Sequence, residues 1–108
     1  MSAKRFVIEL DGSSPRLRRM IDGLDLAAGL AAFDHTVTLV LSIRAMSRLA
    51  ATLDDPEVTE RLELLHDTGV AAVCSTDMPE PPAPLGPLAV AAHGAVEAHR
   101  AADAVIRL

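Results

Sequence analysis

No tryptophan or tyrosine occurs among the 108 residues, and Phe6 and Phe33 are the only aromatic side chains. That scarcity excludes an aromatic stacking platform for single-stranded nucleic acid or RNA. Positive charge is scarce as well. Ten Lys and Arg stand against fifteen Asp and Glu, a formal net charge of −5, which disfavours binding to a phosphate backbone. Cysteine occurs once, at Cys74, so no internal disulfide framework and no cysteine-rich zinc or iron–sulfur site can form. No apolar run approaches the roughly 18 residues of a spanning helix, and MSAKRFVIEL is too short in apolar character for a secretory leader. The expectation is a soluble cytoplasmic protein with no direct nucleic-acid or membrane partner.

Aliphatic side chains must therefore build the core. Half of the sequence is hydrophobic and 23% is charged, an ordinary balance for a folded chain. The length suits a single domain over residues 1–108, with room for one modest core.

Lys4 to Leu10 is short, apolar and β-branched, and Asp11-Gly12-Ser13-Ser14-Pro15 closes it, which predicts a strand and a turn. Ser14 is placed to cap a helix with Pro15 at its first position. Leu17, Met20, Ile21, Leu24, Ala27, Ala28 and Ala31 then recur at helical spacing, and the helix runs to about Phe33. Leu26, Leu30 and Phe33 widen its apolar face, which predicts burial on two sides. Thr36 to Leu41 is a nearly continuous apolar run, as in a strand covered on both faces. A short helix follows over Ile43–Leu53. Asp55-Pro56 opens another, and Gly69 closes it. Val70 to Cys74 is a third strand.

Ser75 to Pro87 holds five of the seven prolines and reads as an irregular surface loop. A very short strand over Leu88–Val90, an Ala-rich helix over His93–Ala102 and a last strand over Asp103–Leu108 complete the chain. The alternation predicts an α/β fold: a small, doubly wound, mostly parallel sheet of four or five strands, flavodoxin-like. A reactive site is then expected at the carboxyl ends of the strands, where Asp11–Pro15, Ser42–Ala45 and Cys74–Met78 gather.

Cys74 ends its strand at that edge. Backbone N–H groups there can favour a thiolate, whereas a structural reading makes it a small buried hydrophobe. His35, His66, His93 and His99 show no metal-ligand spacing with Cys74, so no metal is expected. Asp11-Gly12-Ser13-Ser14 before a helix could cradle an anion, but it carries neither a Walker pattern nor G-x-G-x-x-G, and a turn with a cap accounts for it. Arg16, Arg18 and Arg19 form a basic cluster that reads as a solvated helix face. There is no G-x-S-x-G elbow for a serine hydrolase.

Three stretches resemble the DsrE/DsrF-like family, which includes the TusB, TusC and TusD sulfur-relay subunits. KRFVIELDGSSP resembles the first strand and its Gly-containing turn. GVAAVCSTDM resembles the strand that ends in the sulfur-carrying cysteine. GPLAVAAHGAVEAHRAADAVIRL resembles the closing helix and strand, with Asp103, Val105, Ile106 and Leu108 at its characteristic positions. The likeness is to a small TusC- or TusD-like subunit and spans the chain in order and length. It implies a DsrE/F-like sheet and a sulfurtransferase or persulfide carrier with Cys74 as the catalytic residue. Gly12, Ser13, Ser14, Arg44, Ser75, Thr76 and Asp77 are then the candidates to line the site. It also implies a homo- or hetero-oligomer of related subunits, sulfur donor and acceptor proteins as partners, and no cofactor.

The sequence departs from that pattern after the cysteine. The family's catalytic subunits follow it with small residues and an Arg-Gly pair, whereas Ser75-Thr76-Asp77-Met78-Pro79 stands here. Asp77 would raise the thiol pKa if it lay near the sulfur, and Arg44 would lower it. A non-catalytic structural subunit and a divergent small-ligand-binding domain are the other readings consistent with these differences.

Overall fold

A computed structural model describes residues 3–108; Met1 and Ser2, the start of the segment read for a leader, lie outside the described residues. Five strands form one sheet, β1 (Arg5–Leu10), β2 (Thr36–Leu41), β3 (Ala71–Cys74), β4 (Val90–Ala91) and β5 (Ala104–Arg107). All four pairings are parallel, in the order β4-β3-β2-β1-β5. The helices are α1 (Leu17–Ala32), α2 (Ile43–Ala51), α3 (Pro56–Asp67) and α4 (Ala95–Ala101). The expected α/β sheet is therefore present, with every strand pair parallel.

The strand order explains how the helices divide. From β1 through β3 the chain steps steadily towards one edge, so right-handed crossovers place α1, α2 and α3 on one face. The return from β4 to β5 runs the other way across the sheet, and the same handedness sends α4 to the opposite face. The two faces differ accordingly. Ile8, Leu10, Leu39, Leu41, Ala72 and Cys74 meet the three long helices in one large apolar cluster. On the other face a smaller cluster of the described residues holds Val7, Val40, Val73 and Ala95, with Ala98, Ala102 and Val105 packed beside them. Strand alternation accounts for the split, because successive side chains point to opposite faces.

Several boundaries shift from the sequence expectation. α1 begins two residues later than Ser14-Pro15 predicts, with Arg16 at the N-cap and no side-chain cap. Ser14 instead accepts from the Arg16 amide at 3.3 Å, a local turn ahead of the helix. The two-sided burial of α1 is not found within the chain, since Leu26 is 37% and Phe33 78% exposed. Nor is Ser75–Pro87 with its flank wholly a surface loop. Leu85 and Leu88 are buried and bridge one another. They belong to the large apolar cluster, and the connection from β3 to β4 that carries them contains no helix. Asp55 does cap α3, accepting from the Glu57 amide at 2.9 Å, and Pro56 is its first residue. Among the described residues, no helix is long and apolar enough to cross a membrane.

Candidate functional site

The carboxyl ends of β1, β2 and β3 converge, as the fold class requires. Gly12 is the tightest point. Its φ of +72° lies in the left-handed region, and a Cβ there would come within 2.8 Å of the Ala45 amide nitrogen. Only glycine allows the first loop to lie this close to the start of α2. Ser42 joins the two segments. Its hydroxyl donates to the Asp11 carbonyl at 2.6 Å and accepts from the Ala45 amide at 3.0 Å, which also caps α2.

Asp11 then organises the loop after β1. Its carboxylate accepts from both the amide and the hydroxyl of Ser13, each at 2.8 Å. The Ser13 amide, then its hydroxyl, hold the Asp11 carboxyl below its ordinary pKa, and the charges of Arg44 and Arg19 act in the same direction. An open cleft of about 410 Å³ lies above, lined by Asp11, Ser13, Ser42, Ile43, Arg44, Ser75 and Thr76. Of the predicted lining residues, Ser13, Arg44, Ser75 and Thr76 thus meet in one place. Gly12 and Ser14 line a small neighbouring cavity with Leu10, Arg19 and Leu108. Asp77 does not join them; it faces His93, with 3.5 Å between Oδ1 and Nδ1.

Cys74 stands apart from the cleft. Its register partner is Leu41, and its side chain belongs to the large apolar cluster beneath α1 to α3. The residue is 1% exposed. Its sulfur lies 3.4 Å from Met78 Sδ and 3.9 Å from Met46 Sδ. Burial alone raises the thiol above its ordinary pKa of 9.0. The expected charge effects are absent: neither Asp77 nor Arg44 contributes to the shift. Arg44 acts on Asp11 instead, and Asp77 is turned towards His93. Of the two sequence readings of Cys74, its burial matches the small buried hydrophobe, because alternation directs the side chain into the core.

Sequence reasoning missed two features. Arg48, one turn beyond Arg44, donates to the Gly12 carbonyl at 2.9 Å, to the Pro15 carbonyl at 3.3 Å and also to the Ser14 carbonyl. It clamps the loop that borders the cleft, and its only sequence signal is the four-residue spacing from Arg44 along α2. The methionine contacts of Cys74 were likewise unforeseen. Met78 follows the cysteine by four residues, but Met46 comes from α2.

The basic cluster disperses as the solvated-face reading expects. Arg18 pairs with Glu57 at 2.9 Å, while Arg19 borders a second cleft beside Asp11 and Arg107. His35 stacks edge-on against Phe6, with ring centroids 5.2 Å apart. Among the described residues, no three of His, Cys, Asp and Glu group as metal ligands.

The fold is shared with a known structure. The chain is similar to the ychN protein from E. coli, with a TM-score of 0.65 over 97% of this chain and 99% of that one, at 19% sequence identity. The agreement establishes the parallel-sheet, flavodoxin-like α/β fold. No protein-family model matches the sequence, and no curated protein matches it.

Proposed function

We propose that the protein is a sulfur-relay protein that carries sulfane sulfur as a persulfide on Cys74. One observation carries this reading: the chain's lone thiol closes β3 at the converging strand ends. The fold shared with the ychN protein and the sequence resemblance to DsrE/DsrF-like proteins support it. The chemistry needs only a thiolate and a donor. The Cys74 sulfur attacks the outer sulfur of a donor persulfide, the donor S–S bond breaks, and the donor leaves as a thiolate. An acceptor thiol reverses these steps. The apolar shelter of Met46 and Met78 would keep the bound sulfur from water and oxidants. It also requires Met78 to move aside during loading and release.

Gly12, Ser13, Ser14, Arg44, Ser75, Thr76 and Asp77 belong to this reading as the rim that meets a donor or acceptor protein. Related subunits are its proposed oligomeric partners, and the exposed Leu26 and Phe33 of α1 supply an apolar surface for them. A second reading, a non-catalytic subunit of a sulfur-transfer complex, is favoured by the burial of the thiol. Mass spectrometry after incubation with a persulfide donor separates the two. The carrier gains one sulfur, and Cys74→Ser does not. A native protein that gains no sulfur and resists alkylation is the structural subunit.

A further inference from the structure

The sulfur atoms of Cys74, Met46 and Met78 come from three separate segments. Cys74 ends β3, and its successor's amide continues the ladder by donating to the Leu41 carbonyl at 2.8 Å. Met46 sits in α2 and is buried. Met78 lies in the connection after β3, and its amide is tied to the Ala92 carbonyl at 3.1 Å. Each ligand candidate is thus held by backbone structure, which reduces the rearrangement that binding would require.

We propose that these three side chains form a binding site for a monovalent soft cation of the copper(I) or silver(I) class. Thiolate and thioether sulfurs are soft ligands that select such ions. Three sulfurs bonded to one ion at roughly 2.3 Å in a trigonal plane lie about 4 Å apart. The observed separations from Cys74 are 3.9 and 3.4 Å, so the Met46 spacing already matches and Met78 must move outward to reach it. That residue is only partly buried, and it provides the way in.

Charge selects the valence. Binding exchanges the thiol proton for the cation: the S–H bond breaks, a metal–sulfur bond forms, and the proton leaves to solvent without change of oxidation state. A thiolate with a monovalent ion is neutral, which suits the apolar surroundings of the three sulfurs. A divalent ion would leave one uncompensated positive charge there. Among the described residues, no three of His, Cys, Asp and Glu gather into a site for zinc or a hard cation. The site uses the same thiol as the persulfide reading, and the two thioethers that shelter the sulfur in that reading are here ligands to the ion.

The test uses the intact chain, copper(I) kept reduced by ascorbate, and the competing chelator bicinchoninate. The expected result is one copper(I) retained per chain, with three sulfur neighbours in its X-ray absorption spectrum. Cys74→Ala abolishes retention. Changes in outer-shell residues alone cost roughly tenfold or more in metal affinity, so the Met46→Leu, Met78→Leu double variant should lose at least that much. Leucine conserves the volume of methionine, and an unchanged circular dichroism spectrum confirms that the variant folds. Persulfide loading is read separately, as the one-sulfur mass gain of the copper-free wild-type protein, so either proposal can fail without the other. Wild-type affinity in the double variant, a spectrum with fewer than three sulfurs, or no copper retained would each overturn the site.

Discussion

Arg48 makes the loop after β1 a fixed wall of the cleft. Its guanidinium binds carbonyls of Gly12, Ser14 and Pro15, a fork that an ammonium group cannot reproduce. Hydrogen bonds from a charged group are worth about 1.5–3 kcal/mol. Arg48→Met should therefore lower the unfolding free energy by about that amount, and Arg48→Lys should restore only part of it in denaturant titrations. Gly12→Ala should be worse for the loop than for the rest of the sheet. The left-handed backbone and the 2.8 Å approach to Ala45 both oppose a Cβ, at a cost of about 1–3 kcal/mol. Cys74 allows a simpler check. Burial raises its pKa in the folded protein above 9.0, so the thiol stays protonated at neutral pH. Its stabilising contribution is complete below the unfolded thiol pKa and is lost as pH rises through the higher folded value. Disulfide-exchange reagents should accordingly modify the native thiol far more slowly than the denatured one at pH 7, and equal rates would contradict the burial.

α4 depends on an electrostatic clasp. His99 Nδ1 contacts the Ala95 carbonyl at 2.7 Å, and Nε2 contacts a Glu9 carboxylate oxygen. Both partners are acceptors, so both ring nitrogens donate only when the imidazole is charged. The Ala95 carbonyl and then Glu9 raise the His99 pKa above 6.5, against the nearby Arg107 charge. Arg107 holds the other Glu9 oxygen at 2.8 Å, which joins β5 to the same cluster. With a raised folded pKa, the contribution is complete below the unfolded histidine pKa and disappears as pH rises through the folded one. NMR titration should show His99 deprotonating above its ordinary range, and Glu9→Gln should bring that midpoint down. An unshifted midpoint in the native protein would remove the clasp. α1 behaves differently, because its apolar inner face carries it. Gly23 lets that helix approach Leu10, whose side chain would lie 2.5 Å from an added Cβ.

The molecule as a whole is stabilised unequally. One face of the sheet supports three helices of 16, 9 and 12 residues, whereas α4 has 7. β5 pairs only with β1. Local opening follows the least buried apolar contact, so native-state hydrogen exchange should release α4 and β5 before β1 and β2. Exchange of all five strands in one step would refute that hierarchy. Leu39, wholly buried at the centre of the sheet, belongs to the last region to open, and Leu39→Ala should cost about 2–5 kcal/mol.

Local chemistry made most of the elements legible. The β2 run reads directly as Thr36–Leu41, and Asp55-Pro56 marks the start of α3. Both signals act within a few residues, through strand propensity and backbone capping. The convergence of Ser13, Arg44, Ser75 and Thr76 also follows from chain order, because parallel strands bring their carboxyl ends to one edge. Packing alone decided the direction of Cys74, whose face depends on the register of β3 against β2. It also decided the meeting of Cys74 with Met46 and Met78, and the reach of Arg48 across to the first loop. Apart from Met78, four residues beyond Cys74, those contacts join residues distant in sequence through side-chain geometry, which leaves no local pattern to read.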